Sequence, residues 1–241
     1  MASTDRGAFL LIEGIDKIGK STQVAKLHEF LNKELKGKVE VFKFPNRTTK
    51  IGKLIDECLA DKKEIRMNPQ ALHHLFVANR YEAVDSMITK MKAGITLVVD
   101  RFSFSGVAYG LTDTSTNVDD GLLESEFALP APDRIYLLEP YEGRSDFDEV
   151  DWKTLVGGDT KPSELYEKAE FLAKVQKQFG KLAGSDPHGQ YWKRVGVLHQ
   201  VHRTRISADA IHAKIAKDAL QAVAHAGKTS IATLKREDFF R

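Results

Sequence analysis

Glu13-Gly14-Ile15-Asp16-Lys17-Ile18-Gly19-Lys20-Ser21-Thr22 is the stretch whose reading decides the fold. From Gly14 to Ser21 it spells G-x-x-x-x-G-K-[ST], the spacing of a phosphate-binding loop. Its flanks agree. Ala8-Phe9-Leu10-Leu11-Ile12 reads as a buried strand of a parallel sheet, and Val24, Leu27, Phe30 and Leu31 recur at the spacing of one helix face. Glycines let the backbone N–H groups turn inward, and the helix N-terminus adds the positive end of its dipole. Lys20 would reach the outer phosphates and the Ser21 hydroxyl would hold Mg²⁺. The competing reading is a plain glycine turn with a lysine there by chance, which flanks this regular disfavour.

Working outward, short apolar strands alternate with longer helical patterns, the signature of an α/β fold with a parallel sheet covered by helices. Val39–Phe44 reads as a second strand ended by Pro45, and Ile51 to Leu59 as a short helix. A long helix from about Gln70 to Lys92 closes at Gly94, and Ile95–Val99 makes a β-branched central strand. Helices around Ser105–Gly110 and Asp120–Ala128 precede a fourth strand, Arg134–Leu138. Residues 140–163 mix glycines, prolines and charges and read as a mobile surface segment. A helix from about Ser163 to Leu182, a fifth strand at Val195–Leu198 and a last helix from Ser207 to Ala226 complete the pattern.

The 241 residues show no repeat, low-complexity tract or clear linker, so a single domain over 1–241 is expected, with a C-terminal tail at about 227–241. Charge is nearly balanced, 36 basic against 34 acidic residues, which favours neither nucleic acid nor membrane as a partner. One cysteine, Cys58, lies in an apolar helical pattern and reads as core filler in a reducing compartment. No run approaches 18 uninterrupted apolar residues, the length of a membrane span. Cytoplasmic residence is expected, with the nucleus or an organelle left open. No spacing suggests a zinc site, and His73 and His74 read as packing or surface residues on the long helix.

Four further segments fall where strands end or helices face a common crevice, the place where open α/β sheets bind ligands. Phe44-Pro45-Asn46-Arg47 offers an arginine that could clamp a phosphate or simply be solvated. Phe76 and Arg80, four apart on the long helix, would suit a flat base by stacking and hydrogen bonding; a core Phe with a surface Arg is the alternative. Asp100-Arg101-Phe102 ends the central strand, where a carboxylate can organise Mg²⁺ and an arginine meet phosphate oxygens, or the two form a salt bridge. Ser105-Gly106 allows close approach of a ligand, with Tyr109 as a sugar-facing wall or a packed ring. Arg144, ahead of Tyr166, could be a lid charge that completes the site on closure, or a solvated arginine.

Taken together, E-G-I-D-K-I-G-K-S-T, F-P-N-R, L-F-V-A-N-R-Y-E, V-V-D-R-F-S-F-S-G-V-A-Y and the later Y-E resemble the thymidylate kinases of eukaryotes from residue 8 to about 212. The resemblance implies a phosphate-loop nucleotide kinase fold, a five-stranded parallel sheet flanked by helices with a lid at about 141–165, and a homodimer. It implies ATP-dependent phosphorylation of dTMP to dTDP. Gly14, Asp16, Lys17, Ile18, Gly19, Lys20, Ser21 and Thr22 would surround ATP, with Ser21 and Asp100 at Mg²⁺. Arg47 and Arg101 would bind the dTMP phosphate, beside Phe44, Pro45, Ser105 and Gly106. Asp16 would contact the 3′-hydroxyl, Phe76 stack on thymine, Arg80 bond its edge, Tyr109 crowd the 2′ position and Tyr166 close over the sugar. Lys20, Lys17, Arg101, Asp100 and Arg144 would carry the transfer step. Three departures stand out. Lys17 replaces the family's phosphate-loop arginine and loses its fork, the 148–163 segment looks longer than usual, and Leu172 stands where relatives place a glutamine.

The acceptor would already be a phosphate, so no general base is needed; the task is to bring two polyanions together. A deoxynucleoside kinase, which needs a base at a sugar hydroxyl, is the nearest alternative. A GTP-dependent switch is a more distant one, because Asn32-Lys33 continues as Glu34-Leu35 and not as the N-K-x-D guanine motif.

Overall fold

A parallel five-stranded sheet forms the centre of the computed structural model, in the order β2-β3-β1-β4-β5. The structure describes residues 5–60, 68–113, 124–144, 146–156, 169–186 and 190–234. The strands are β1 (Phe9–Glu13), β2 (Val39–Lys43), β3 (Thr96–Asp100), β4 (Arg134–Glu139) and β5 (Trp192–Gly196). β1 and β3 are buried along their whole length, which is why they read as unbroken apolar runs. The edge strand β2 is more open, with Val39 buried, Glu40 and Phe42 half-buried and Val41 exposed.

Seven helices lie among the described residues: α1 (Lys20–Glu34), α2 (Lys50–Leu59), α3 (Pro69–Lys92), α4 (Ser103–Asp113), α5 (Glu149–Val156), α6 (Ala169–Gly184) and α7 (Ala208–Ala226). Side-chain caps define several starts. Thr49 accepts from the Gly52 N–H, Asn68 from Gln70 and Ala71, and Ser207 from Ala210. α1 packs on α7 and α4 on α6, while α3 lies against α2 and α4. The main core runs through the sheet, and Ile55, Cys58, Leu59 and Leu72 form a satellite cluster between α2 and α3. Cys58 is buried there, as core filler should be.

Three segments differ from the sequence expectation, the first being β5, which begins at Trp192, three residues ahead of the expected Val195. Within 140–163, residues 149–156 form α5, a helix anchored by buried Trp152 and Leu155. Its start is a reciprocal cap: the Asp151 N–H donates to Asp148 Oδ1 at 2.9 Å, and the Asp148 N–H donates to Asp151 Oδ2 at 3.1 Å. The early part of the tail is placed as well, because Leu234 is buried and its N–H donates to Leu129 O at 2.9 Å. Of the helix expected at 120–128, residues 120–123 lie outside the described residues and 125–128 form a turn; part of the helix expected from Ser163 also lies outside them.

Candidate active site

β1 ends at Glu13 and α1 begins at Lys20, so the six residues between them must reverse the chain tightly. Gly14 makes this feasible. Its φ is 140°, and a Cβ there would sit 2.5 Å from Leu138 O. α1 starts at Gly19 with no side chain capping its first N–H groups, as an anion-binding helix start requires. Lys20 is buried beneath the loop and donates to Ile15 O at 2.6 Å. Burial, reinforced by nearby Arg101, pushes the Lys20 ammonium down to about 7 against the pull of Asp16, Asp100 and Glu13. The Ser21 hydroxyl donates to Asp100 Oδ2 at 3.1 Å, while the other oxygen, Oδ1, is buried without a hydrogen-bond partner.

Arg101 follows Asp100 with a left-handed φ of 66°, which turns its side chain back across the loop. Its guanidinium donates to Gly14 O at 3.1 Å, to Ser105 Oγ at 3.0 Å and to Asp16 Oδ1 at 2.5 Å. The Tyr109 hydroxyl takes the second Asp16 oxygen at 2.9 Å. Burial alone would raise the Asp16 pKa, but Arg101 and Lys20 outweigh it and hold the carboxyl at about 2. Glu13 fixes this corner from below. It accepts the N–H groups of Phe102 and Ser105 at 2.9 and 3.1 Å and the Ser105 hydroxyl at 2.6 Å.

Beyond the carboxylate lies a cleft with an apolar end. Phe44 and Pro45 line one wall, Phe76 and Leu72 another, and Ser105, Gly106 and Tyr109 of α4 a third. Arg80 closes the end, held by a charge-assisted bond to buried Glu126; His73 Nε2 lies 3.5 Å from the same carboxylate oxygen. Gly106 leaves room for this pair, because a Cβ would stand 2.8 Å from an Arg80 nitrogen and 2.9 Å from Glu126 Oε1 and would displace one of them. Arg47 lines the mouth and pairs with Asp56 at 2.6 Å. The loop carrying it hangs on Asn79, whose amide accepts from the Asn46 N–H at 2.6 Å and donates to Asn46 O at 3.1 Å and Thr49 Oγ1 at 3.0 Å.

Asp16, Phe44, Pro45, Arg47, Phe76, Arg80, Arg101, Ser105, Gly106 and Tyr109 therefore converge on one cleft. Gly14, Lys17, Ile18, Gly19, Lys20, Ser21 and Thr22 form the adjoining loop and helix start, with Asp100 beside Ser21. Arg144 stands apart from that lining: it is exposed, pairs with Asp146 at 2.6 Å and lies over the Tyr141 ring. Tyr166 lies outside the described residues. Leu172 is fully buried in the core. Sequence reasoning missed Glu13, Asn79 and Glu126 as supports. The first two stand inside quoted motifs, whereas nothing near Glu126 in sequence marks it as Arg80's partner.

A family model described as thymidylate kinase matches residues 12–192. The chain belongs to the thymidylate kinase family. It is 38% identical over 173 residues to a thymidylate kinase of Dictyostelium discoideum, covering 71% of each chain. It is 36% identical over 183 residues to that of Schizosaccharomyces pombe, covering 76% of this chain and 80% of the other. The solved thymidylate kinase of Candida albicans superimposes with a TM-score of 0.74 at 27% identity, covering 95% of this chain and 99% of that one. Both the phosphate loop and the cleft from Phe44 to Tyr109 lie inside the matched thymidylate kinase region.

Proposed function

We propose that the chain transfers the γ-phosphoryl group of ATP to dTMP, giving ADP and dTDP. The observation that carries this reading is the cleft beside the phosphate loop, where Arg47 and Arg101 meet an aromatic face and a buried guanidinium. A dTMP phosphate oxygen attacks the γ-phosphorus as the bond to the β-phosphate oxygen breaks, and ADP leaves. The acceptor is an anion, so no side chain need remove a proton; the protein's task is alignment and charge neutralisation.

Arg47 and Arg101 hold the acceptor phosphate, and Asp16 accepts a hydrogen bond from the 3′-hydroxyl. Phe76 stacks on thymine while Arg80, braced by Glu126, donates to the base edge. Tyr109, bonded to Asp16, stands against the 2′ carbon. Gly14, Ile18, Gly19, Lys20, Ser21 and Thr22 cradle the ATP phosphates, with Lys17 and the lid arginine Arg144 adding charge. Ser21 and the unpartnered Asp100 Oδ1 form an oxygen donor set that suits Mg²⁺. The ion supplies charge neutralisation between the two phosphates when bound.

A coupled assay of ADP release with dTMP and Mg-ATP tests the reading, and absence of turnover overturns it. Turnover of thymidine in preference to dTMP would favour a deoxynucleoside kinase instead. The same reading makes the chain a single-domain homodimer of the cytoplasm, which sedimentation and localisation of the tagged protein address. Among the described residues no helix is long and apolar enough to cross a membrane.

A further inference from the structure

The β5–α7 connection carries an arginine that none of these roles uses. Past β5 the Ile206 N–H donates to Val197 O at 2.8 Å and the His199 N–H to Thr204 O at 2.9 Å, folding the chain into a small hairpin. Arg203, with a left-handed φ of 50°, and Arg205 both stand on its returning limb. Both reach α5 or its start: Arg203 pairs with Asp148 at 2.6 Å, and Arg205 donates to Leu155 O. A second Arg205 nitrogen donates to Ile18 O at 3.2 Å inside the phosphate loop and lies 3.4 Å from where a Cβ on Gly19 would be.

Its charge is exceptional. Among the described residues every other arginine lies in an ion pair with a carboxylate. Arg205 meets two backbone carbonyls instead, which orient the guanidinium without cancelling it. Three of its five N–H groups are left over for other acceptors. An anion drawn to the uncapped start of α1 enters directly beside this fork. Lys17, in the loop itself, offers only a point charge.

We propose that Arg205 is a donor-binding residue, which donates to the phosphate chain of the nucleoside triphosphate from the outer side of the loop and straps α5 to it. This rests on the phosphate loop holding a nucleotide, but not on the identity of the acceptor. The test is titration calorimetry of ADP and, separately, of dTMP with the full chain and its Arg205→Gln and Arg205→Lys variants. Arg205→Gln should weaken ADP about tenfold, the loss of one charge-assisted contact, with a shallower dependence on ionic strength. Arg205→Lys should lose less, and dTMP affinity should stay within about twofold of the parent. Unchanged ADP affinity in Arg205→Gln overturns the proposal. So does equal loss of ADP and dTMP, which marks a purely structural strap. Should Arg205→Gln fail to fold, Arg205→Lys decides by the same comparison, since a lost strap without donor contact leaves its ADP-to-dTMP affinity ratio unchanged. A parent that binds ADP without turning over dTMP would count against the proposed reaction and leave this inference standing.

Discussion

Asp16 belongs to the phosphate loop by sequence, yet its carboxylate faces the neighbouring cleft, with one oxygen on Arg101 and the other on Tyr109. Its lowered pKa has a definite sign. The pair contributes stability above the unfolded carboxyl value of 3.8 and loses it as pH falls through about 2. Arg101→Met should return the Asp16 pKa toward or above 3.8, read by carboxyl-carbon NMR titration; a value still near 2 would mean that Arg101 is not the cause. Phe76 is a second residue-scale case. It packs on the satellite cluster and also lines the cleft, so core packing does not remove its ring from the place where the proposed stacking needs it. Phe76→Ala should weaken dTMP by about 1 kcal/mol or more while leaving ATP nearly unchanged, measured as separate KM values.

At the scale of elements, the site depends on pieces that no local pattern announces. The Phe44–Arg47 loop follows β2 directly, but its position is set by Asn79 on α3, more than thirty residues later in the chain. Asn79→Ala leaves the Asn46 backbone groups without these bonds and should cost about 1–3 kcal/mol in stability. It should also raise the KM for dTMP more than that for ATP, because Arg47 sits on this loop. A stability loss with unchanged KM would detach the loop from acceptor binding. α5 was legible in part. Asp148 and Asp151 have the spacing of a reciprocal cap, and Trp152 and Leu155 lie three apart, but the glycines and charges around them obscured a helix of this length.

Across the whole molecule, the parallel sheet brings the ends of β1 and β3 side by side, with Ile12 opposite Asp100. That pairing sets the phosphate loop against Asp100 and Arg101. At the opposite end of β1, Arg6 clamps the fold by gripping Asp133 with two hydrogen bonds of 2.6 and 2.8 Å and donating to Thr229 O at 2.8 Å. Arg6→Met would strand the largely buried Asp133 carboxylate and should cost about 3 kcal/mol in urea unfolding. A loss well below 1 kcal/mol would show that solvent or Phe9, whose N–H also donates to Asp133, compensates.

By itself the sequence determined the strand–loop–helix unit, the alternation that makes a parallel sheet, and the residues that line the loop and cleft. These are local signals: glycine spacing, apolar periodicity and motif order survive without knowledge of partners. Only the tertiary structure decided that Glu126 braces Arg80, that Asn79 holds the Arg47 loop, that Glu13 anchors the start of α4, and that Arg205 arrives at Ile18. Each joins positions 33 to 187 residues apart. Hydrogen bonds at that separation are made by chain topology, and a carboxylate or guanidinium looks the same in sequence whether it ends in solvent or against its partner.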